Sequence, residues 1–172
     1  PTSSRRQRQM CIRDRLMYLP KILAQQYACF EVIVIDDGST DNTPNILNSL
    51  QRQYAQLKVG TTSDRLIHDQ LQLRQGKKKA LTLGLSKAQY DIVLLTDADC
   101  CPASELWLAG MVAPIVNADA DADNKDVEVV LGYGPYYSQK DFLNKCIQFE
   151  TVYTAMQYLS AALVGCPYMG VG

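Results

Sequence analysis

The sequence predicts an α/β domain, a mostly parallel sheet flanked by helices, and three observations carry that expectation. Two short runs, FEVIVI at 30–35 and DIVLL at 91–95, are rich in β-branched and other apolar residues, as strands covered on both faces are. Segments with apolar residues at helical spacing alternate with them, the pattern of parallel strands joined by crossover helices. Both runs end in acids, Asp36 and Asp37 in one case, Asp97 and Asp99 in the other. The 172 residues are about one domain's length and can hide roughly 70% of their unfolded surface. With 47% hydrophobic residues, a core forms without disulfide staples, and disorder is excluded.

The elements follow in order. After the strand at 30–35 comes the turn GST, and Thr43 is expected to cap a helix with Pro44 at its first position. Ile46, Leu47, Leu50 and Tyr54 recur along that helix at helical spacing. A short strand is expected near Leu57–Val59, then a polar stretch from Thr61 to Gln75 with no assignable structure, closed by Gly76. Ala80, Leu81, Gly84, Leu85 and Ala88 form one stripe of the next helix. Lys77, Lys78 and Lys79 crowd its first turn against the helix dipole, so two of the three should face solvent unless an anion is near. The strand DIVLL leads into TDAD; Pro102–Val116 reads as a helix broken at Pro114, and Val127–Leu131 as a further strand. Gly132–Pro135 makes a turn, and Asp141–Leu163 a long helix whose stripe Phe142, Cys146, Phe149, Tyr153, Met156 and Leu159 is expected in the core.

Charge and cysteine usage exclude several functions. Seventeen basic against eighteen acidic residues give −1, which supplies no field for nucleic acid or an anionic membrane. Five arginines in residues 1–15 stand against the single acid Asp14, but the segment has neither the amphipathic spacing nor the apolar core of a targeting peptide. It resembles translated adaptor sequence and reads as a non-native or disordered segment. The six cysteines (11, 29, 100, 101, 146 and 166) have no CxxC spacing and read as reduced, mostly buried thiols. His68 is the single histidine, which leaves too few ligands for structural zinc. The acidic loop 119–126 fails an EF-hand twice, with Asn124 where glycine and Val130 where glutamate would stand. No run reaches the roughly 20 apolar residues of a membrane span; the longest, Val152–Val164, is shorter.

The acids at the two strand ends are the candidate site. Parallel sheets bind ligands in the crevice beyond the carboxyl ends of their strands, and two strands here deliver carboxylates to one rim. Such a rim suits a divalent cation with a polar ligand.

DDGSTD at 36–41, GKKKAL at 76–81 and TDAD at 96–99, in that order, resemble a family-2 glycosyltransferase of the GT-A fold, a Rossmann-like sheet. The likeness covers residues 18–172. It implies that Asp37 hydrogen-bonds the base of a nucleotide-sugar donor, with Asp36 beside it, that Asp97 lies near the nucleotide, and that Asp99 binds a divalent metal on the diphosphate. Mg²⁺ or Mn²⁺ would fit that oxygen-rich place and stabilise the departing nucleotide. Lys77 matches the lysine after the family's glycine and is carried over as a donor-site contact. Thr82 stands where the family often has asparagine. The resemblance implies an inverting transfer from a nucleotide sugar, a UDP-sugar above all, to a saccharide or lipid-linked acceptor, with no nucleic acid as partner.

Two departures accompany the matches. The arginine-rich run stands where the family's first strand would lie, and the catalytic carboxylate is expected beyond Gly172, so residues 16–172 read as a partial GT-A domain holding the donor half. GYGPY at 132–136 and the helix through GCPYMGVG resemble membrane-associated bacterial members, which implies a parent on the cytoplasmic side of the inner membrane. The rival readings are a nucleotidyltransferase-like enzyme, although no glycine-rich phosphate loop is visible, and a noncatalytic nucleotide-binding module. A P-loop is excluded because Lys78 follows Lys77 and Leu71 stands where its first glycine would be.

Overall fold

The structure is a computed structural model that describes residues 17–62, 77–118, 127–166 and 168. Residues 1–15, most of the polar stretch with His68, Gly76, the acidic loop 119–126 and the closing glycines lie outside the described residues. The chain divides into two compact units, Pro1–Glu128 and Val129–Gly172.

In the first unit the described elements are α1 (residues 17–23), β1 (Val32–Asp36), α2 (Thr43–Gln53), β2 (Leu57–Thr61), α3 (Lys77–Ser86) and α4 (Trp107–Ala118). β1 and β2 pair in parallel, Val32 opposite Leu57 through Asp36 opposite Thr61. Parallel neighbours need a crossover, and α2 supplies it. The pleat sorts side chains by face. Val32, Val34 and Val59 on one face pack around a core of Leu57 from β2, Leu19 and Leu23 from α1, and Leu47 and Leu50 from α2. Leu19 and Leu23 are four apart and Leu47 and Leu50 three apart, so each helix presents a single stripe.

On the other face Ile35 meets α3, where a β-carbon at Gly84 would lie 3.5 Å from Ile35 Cγ1. At Gly60, opposite Ile35, it would stand 2.9 Å from Ile35 Cδ1 and 3.3 Å from Lys87 Cε, so those side-chain ends would have to shift. Helices thus cover both faces, as the continuous apolar character of β1 required. The Gln89 N–H donates to Glu31 Oε1 at 2.6 Å, and Lys58 pairs with the same carboxylate, tying the end of α3 and β2 to the start of β1. The Lys58 ammonium, helped by that N–H, holds the Glu31 carboxyl below its ordinary value.

Gln25, buried, joins α1 to the approach to α4. Its Nε2 donates to the carbonyls of Lys21 (3.1 Å) and Ser104 (2.8 Å), and its Oε1 accepts the Leu108 N–H at 2.8 Å. Neighbouring Gln26 donates to Glu105 from both its backbone and its side chain.

Several sequence expectations are corrected. Residues 92–97 form no strand, and Ile92, Val93 and Leu95 are exposed, because no described segment pairs with them in a ladder. Val127–Leu131 likewise forms no strand. The buried stripe of α3 is Lys79 and Leu83, while Leu81 and Leu85 are exposed, so the helix sits rotated from the expected face. α4 starts five residues later than expected, after the turn bonded to Gln25 and Gln26, and it runs through Pro114. Gly110, four residues before that proline, is exposed with open space beside it, so water can serve the carbonyl that lost its donor. The helix α2 begins one residue early: Asn42 is the N-cap, but its Oδ1 accepts from the Asn45 side-chain amide at 2.7 Å and caps no backbone N–H, and the Thr43 N–H is taken by Asp41 Oδ1 at 2.9 Å.

The second unit holds α5 (Phe142–Leu163). Asp141 caps it by accepting the Asn144 N–H at 2.6 Å. Asn144 then pins the preceding segment, donating to the Tyr137 carbonyl at 3.1 Å and accepting the Gln139 N–H at 2.8 Å. Gly165, with φ +79°, ends the helix in the left-handed conformation, its N–H bonded to the Ala162 carbonyl and that of Cys166 to Ala161. The expected core stripe is exposed instead, Phe142 at 82%, Phe149 at 73% and Met156 at 62%, because this unit contains no second described element to cover it. No described helix is long and apolar enough to cross a membrane. The five cysteines among the described residues are free as expected, but four are exposed and Cys101 half-buried.

Candidate functional site

The site is built where β1 and β2 end together. Asp36, the last residue of β1, turns its carboxylate into its own loop: Oδ2 accepts the Ser39 N–H at 3.1 Å and Oδ1 the Ser39 hydroxyl. This closes an Asx-type turn around Gly38, whose φ of +78° is open to glycine at little cost. Asp37, one residue on, faces the other way. It is exposed, and its Oδ1 accepts the hydroxyl of Thr62 at 2.6 Å. Thr62 is the first residue past β2, where its N–H donates to the Asp36 carbonyl at 3.0 Å and extends the ladder by one rung.

Lys77 opens α3 and reaches Asp97 at 3.1 Å, so the structure brings together two residues singled out from separate motifs. Both are largely exposed. Lys78 is also exposed and Lys79 buried, as two solvent-facing lysines of three required. The Thr82 hydroxyl bonds back to the Lys78 carbonyl at 3.0 Å, so it is spent within the helix. Asp97 and Asp99 flank a turn in which the Cys100 N–H returns to the Asp97 carbonyl at 3.1 Å. Asp99 is exposed and makes no side-chain bond among the described residues. No hydrogen bond or ion pair among those residues links the Asp37–Thr62 pair to the Lys77–Asp97 pair.

No described group of three or more acids, histidines or cysteines converges to hold a metal by itself. An exposed carboxylate such as Asp99 is a hard oxygen donor of the kind that holds Mg²⁺ or Mn²⁺ when phosphate oxygens complete the shell. One such carboxylate makes no closed protein cage, so a cation here would need the rest of its oxygen donors from a ligand.

Sequence reasoning missed Thr62. It lies in a polar stretch without periodicity, and its signal is positional: register places it beside Asp37, one step beyond the paired Asp36 and Thr61.

A parallel pair of strands with helices on both faces defines an α/β protein. The chain belongs to glycosyl transferase family 2, whose family model matches residues 18–156. It is 37% identical over 81 residues to a poly-beta-1,6-N-acetyl-D-glucosamine synthase of Staphylococcus aureus, covering 47% of this chain and 17% of that protein. It is 39% identical over 79 residues to a beta-monoglucosyldiacylglycerol synthase of Nostoc sp., covering 46% of this chain and 15% of that one. The chain thus spans less than a fifth of these relatives' length. No solved structure matches it significantly.

Proposed function

We propose that this chain carries the donor site of an inverting, metal-assisted glycosyltransferase that takes sugar from a nucleotide-sugar donor, a UDP-sugar. The observation that carries this reading is the held carboxylate of Asp37 at the carboxyl end of a parallel pair, in a family-2 chain. Asp37 accepts a base N–H, and Asp36 keeps the loop in shape for it. Lys77 and Asp97 lie by the phosphates and sugar of the donor, where Lys77 exchanges its exposed partner for phosphate oxygen. Asp99 holds Mg²⁺ or Mn²⁺ against the diphosphate. A cation held by Asp99 would supply positive charge against the diphosphate leaving group. We assign no catalytic base among these residues.

The acceptor is a saccharide or a lipid-linked one; the names of the two relatives, a polysaccharide synthase and a glycolipid synthase, support that class. Both kinds of product are consistent with a parent at the cytoplasmic side of a bacterial inner membrane. Calorimetric titration of UDP with Mn²⁺, then with EDTA, tests the site. Binding should require the metal and should be lost in both Asp37→Ala and Asp99→Ala. Affinity indifferent to EDTA and to Asp99→Ala would overturn the metal assignment, and a folded chain that ignores UDP would favour a noncatalytic module.

A further inference from the structure

We propose that Thr62 is the positioning residue for Asp37: its hydroxyl fixes one carboxylate oxygen so that the other is left to accept an N–H from the nucleobase. The inference rests on the reading that Asp37 meets the base. Three features of Thr62 carry it. The residue is 2% exposed although it is polar and follows the last residue of a strand. Its backbone is fixed by the bond from its N–H to the Asp36 carbonyl. Its hydroxyl lies 2.6 Å from Asp37 Oδ1, within the range of a charge-assisted bond.

An exposed aspartate at a loop entrance otherwise samples several rotamers, and a ligand must pay to select one. A donor anchored on a neighbouring strand removes that cost before the ligand arrives. Among the described residues Asp37 has no other side-chain partner, whereas both oxygens of Asp36 are taken by Ser39. The division leaves one acceptor of the DDG turn available and aimed.

The test is calorimetry on the full chain with two probes, UDP with Mn²⁺ and inorganic pyrophosphate with Mn²⁺. Thr62→Val should weaken UDP on the order of tenfold, the usual effect of losing a hydrogen bond to a charged group, and leave pyrophosphate unchanged. Thr62→Ser, which keeps the donor, should bind UDP nearly as the parent does. Equal loss of both probes, or UDP affinity unchanged in Thr62→Val, overturns the assignment. If Thr62→Val and Thr62→Ala fail to fold while Thr62→Ser folds, the hydroxyl is structural and the assignment also fails. Should the parent chain bind UDP no better than pyrophosphate, or Asp37→Ala leave UDP untouched, the base-contact reading itself falls, an outcome the Thr62 variants alone do not produce.

Discussion

Lys77→Ala should leave the stability of the fold untouched and weaken donor binding, and the geometry fixes how large each effect is. The ammonium stands 3.1 Å from Asp97 Oδ1, and the side chains are 85% and 65% exposed. Two unit charges at that separation in water attract by about 1.3 kcal/mol. Salt at physiological strength, with a screening length of about 8 Å, trims this to about 0.9 kcal/mol. Holding a four-carbon stem in one rotamer offsets most of what is left, as in other exposed pairs. Lys77→Ala should therefore shift unfolding free energy by less than about 0.5 kcal/mol. A diphosphate carries more charge than one carboxylate, so the lysine has far more to gain from a ligand than from its present partner. Urea unfolding and Mn²⁺–UDP titration on Lys77→Ala and Asp97→Asn measure the two effects separately. A stability loss above about 1 kcal/mol would show that the pair braces the fold. UDP affinity equal to that of the parent chain would remove Lys77 from the donor site.

Other consequences concern the scaffold. Leu47→Ala, at a side chain 1% exposed and surrounded by leucines from α1, α2 and β2, should cost about 2–5 kcal/mol and move the urea midpoint by about 1 M or more; a change under 1 kcal/mol would mean the core is elsewhere. Gly60→Val puts carbon where Ile35 and Lys87 already stand and should cost about 1–3 kcal/mol in thermal or urea unfolding, with Gly110→Ala, in open space, as the tolerated control. The Glu31 carboxyl is held below its ordinary value of 4.5 in the folded chain by Lys58 and the Gln89 N–H, so its contribution is full above about pH 4.5 and is lost as pH falls through the lowered value. Acid unfolding followed by circular dichroism should thus show a shallower acid limb in Glu31→Gln, and an unchanged limb would sever that link.

Much of the scaffold was legible from local pattern. The run ending at Asp36 announced β1, Pro44 with Ile46, Leu47 and Leu50 announced α2, and the spacing of Phe142, Cys146 and Phe149 announced α5. Periodicity says which residues share a face but not whether anything lies against it. That is why the stripe on α5 reads as core yet is exposed, and why α3 buries Lys79 and Leu83 in place of Leu81 and Leu85. A strand is a relation between two segments, so DIVLL has strand composition without being one. The site was half legible. Lys77 and Asp97 were singled out separately and meet, but Thr62 reaches Asp37 across strand register, which no linear spacing encodes.

Asp36 and Asp37 are chemically identical neighbours with opposite duties, one folded back onto its loop and one held from the adjacent strand. What distinguishes them is only the phase of the pleat. The chemistry of this edge is therefore stored in a parity count: inserting or deleting a single residue in β1 would exchange the faces turned to α2 and α3, carry Asp36 to the side of Ile35, and part Asp37 from Thr62. A two-residue change would keep that parity. Length variation in this strand should be tolerated in pairs, while the turn that follows has no such freedom, because Ser39 must stay three residues from Asp36 to close it.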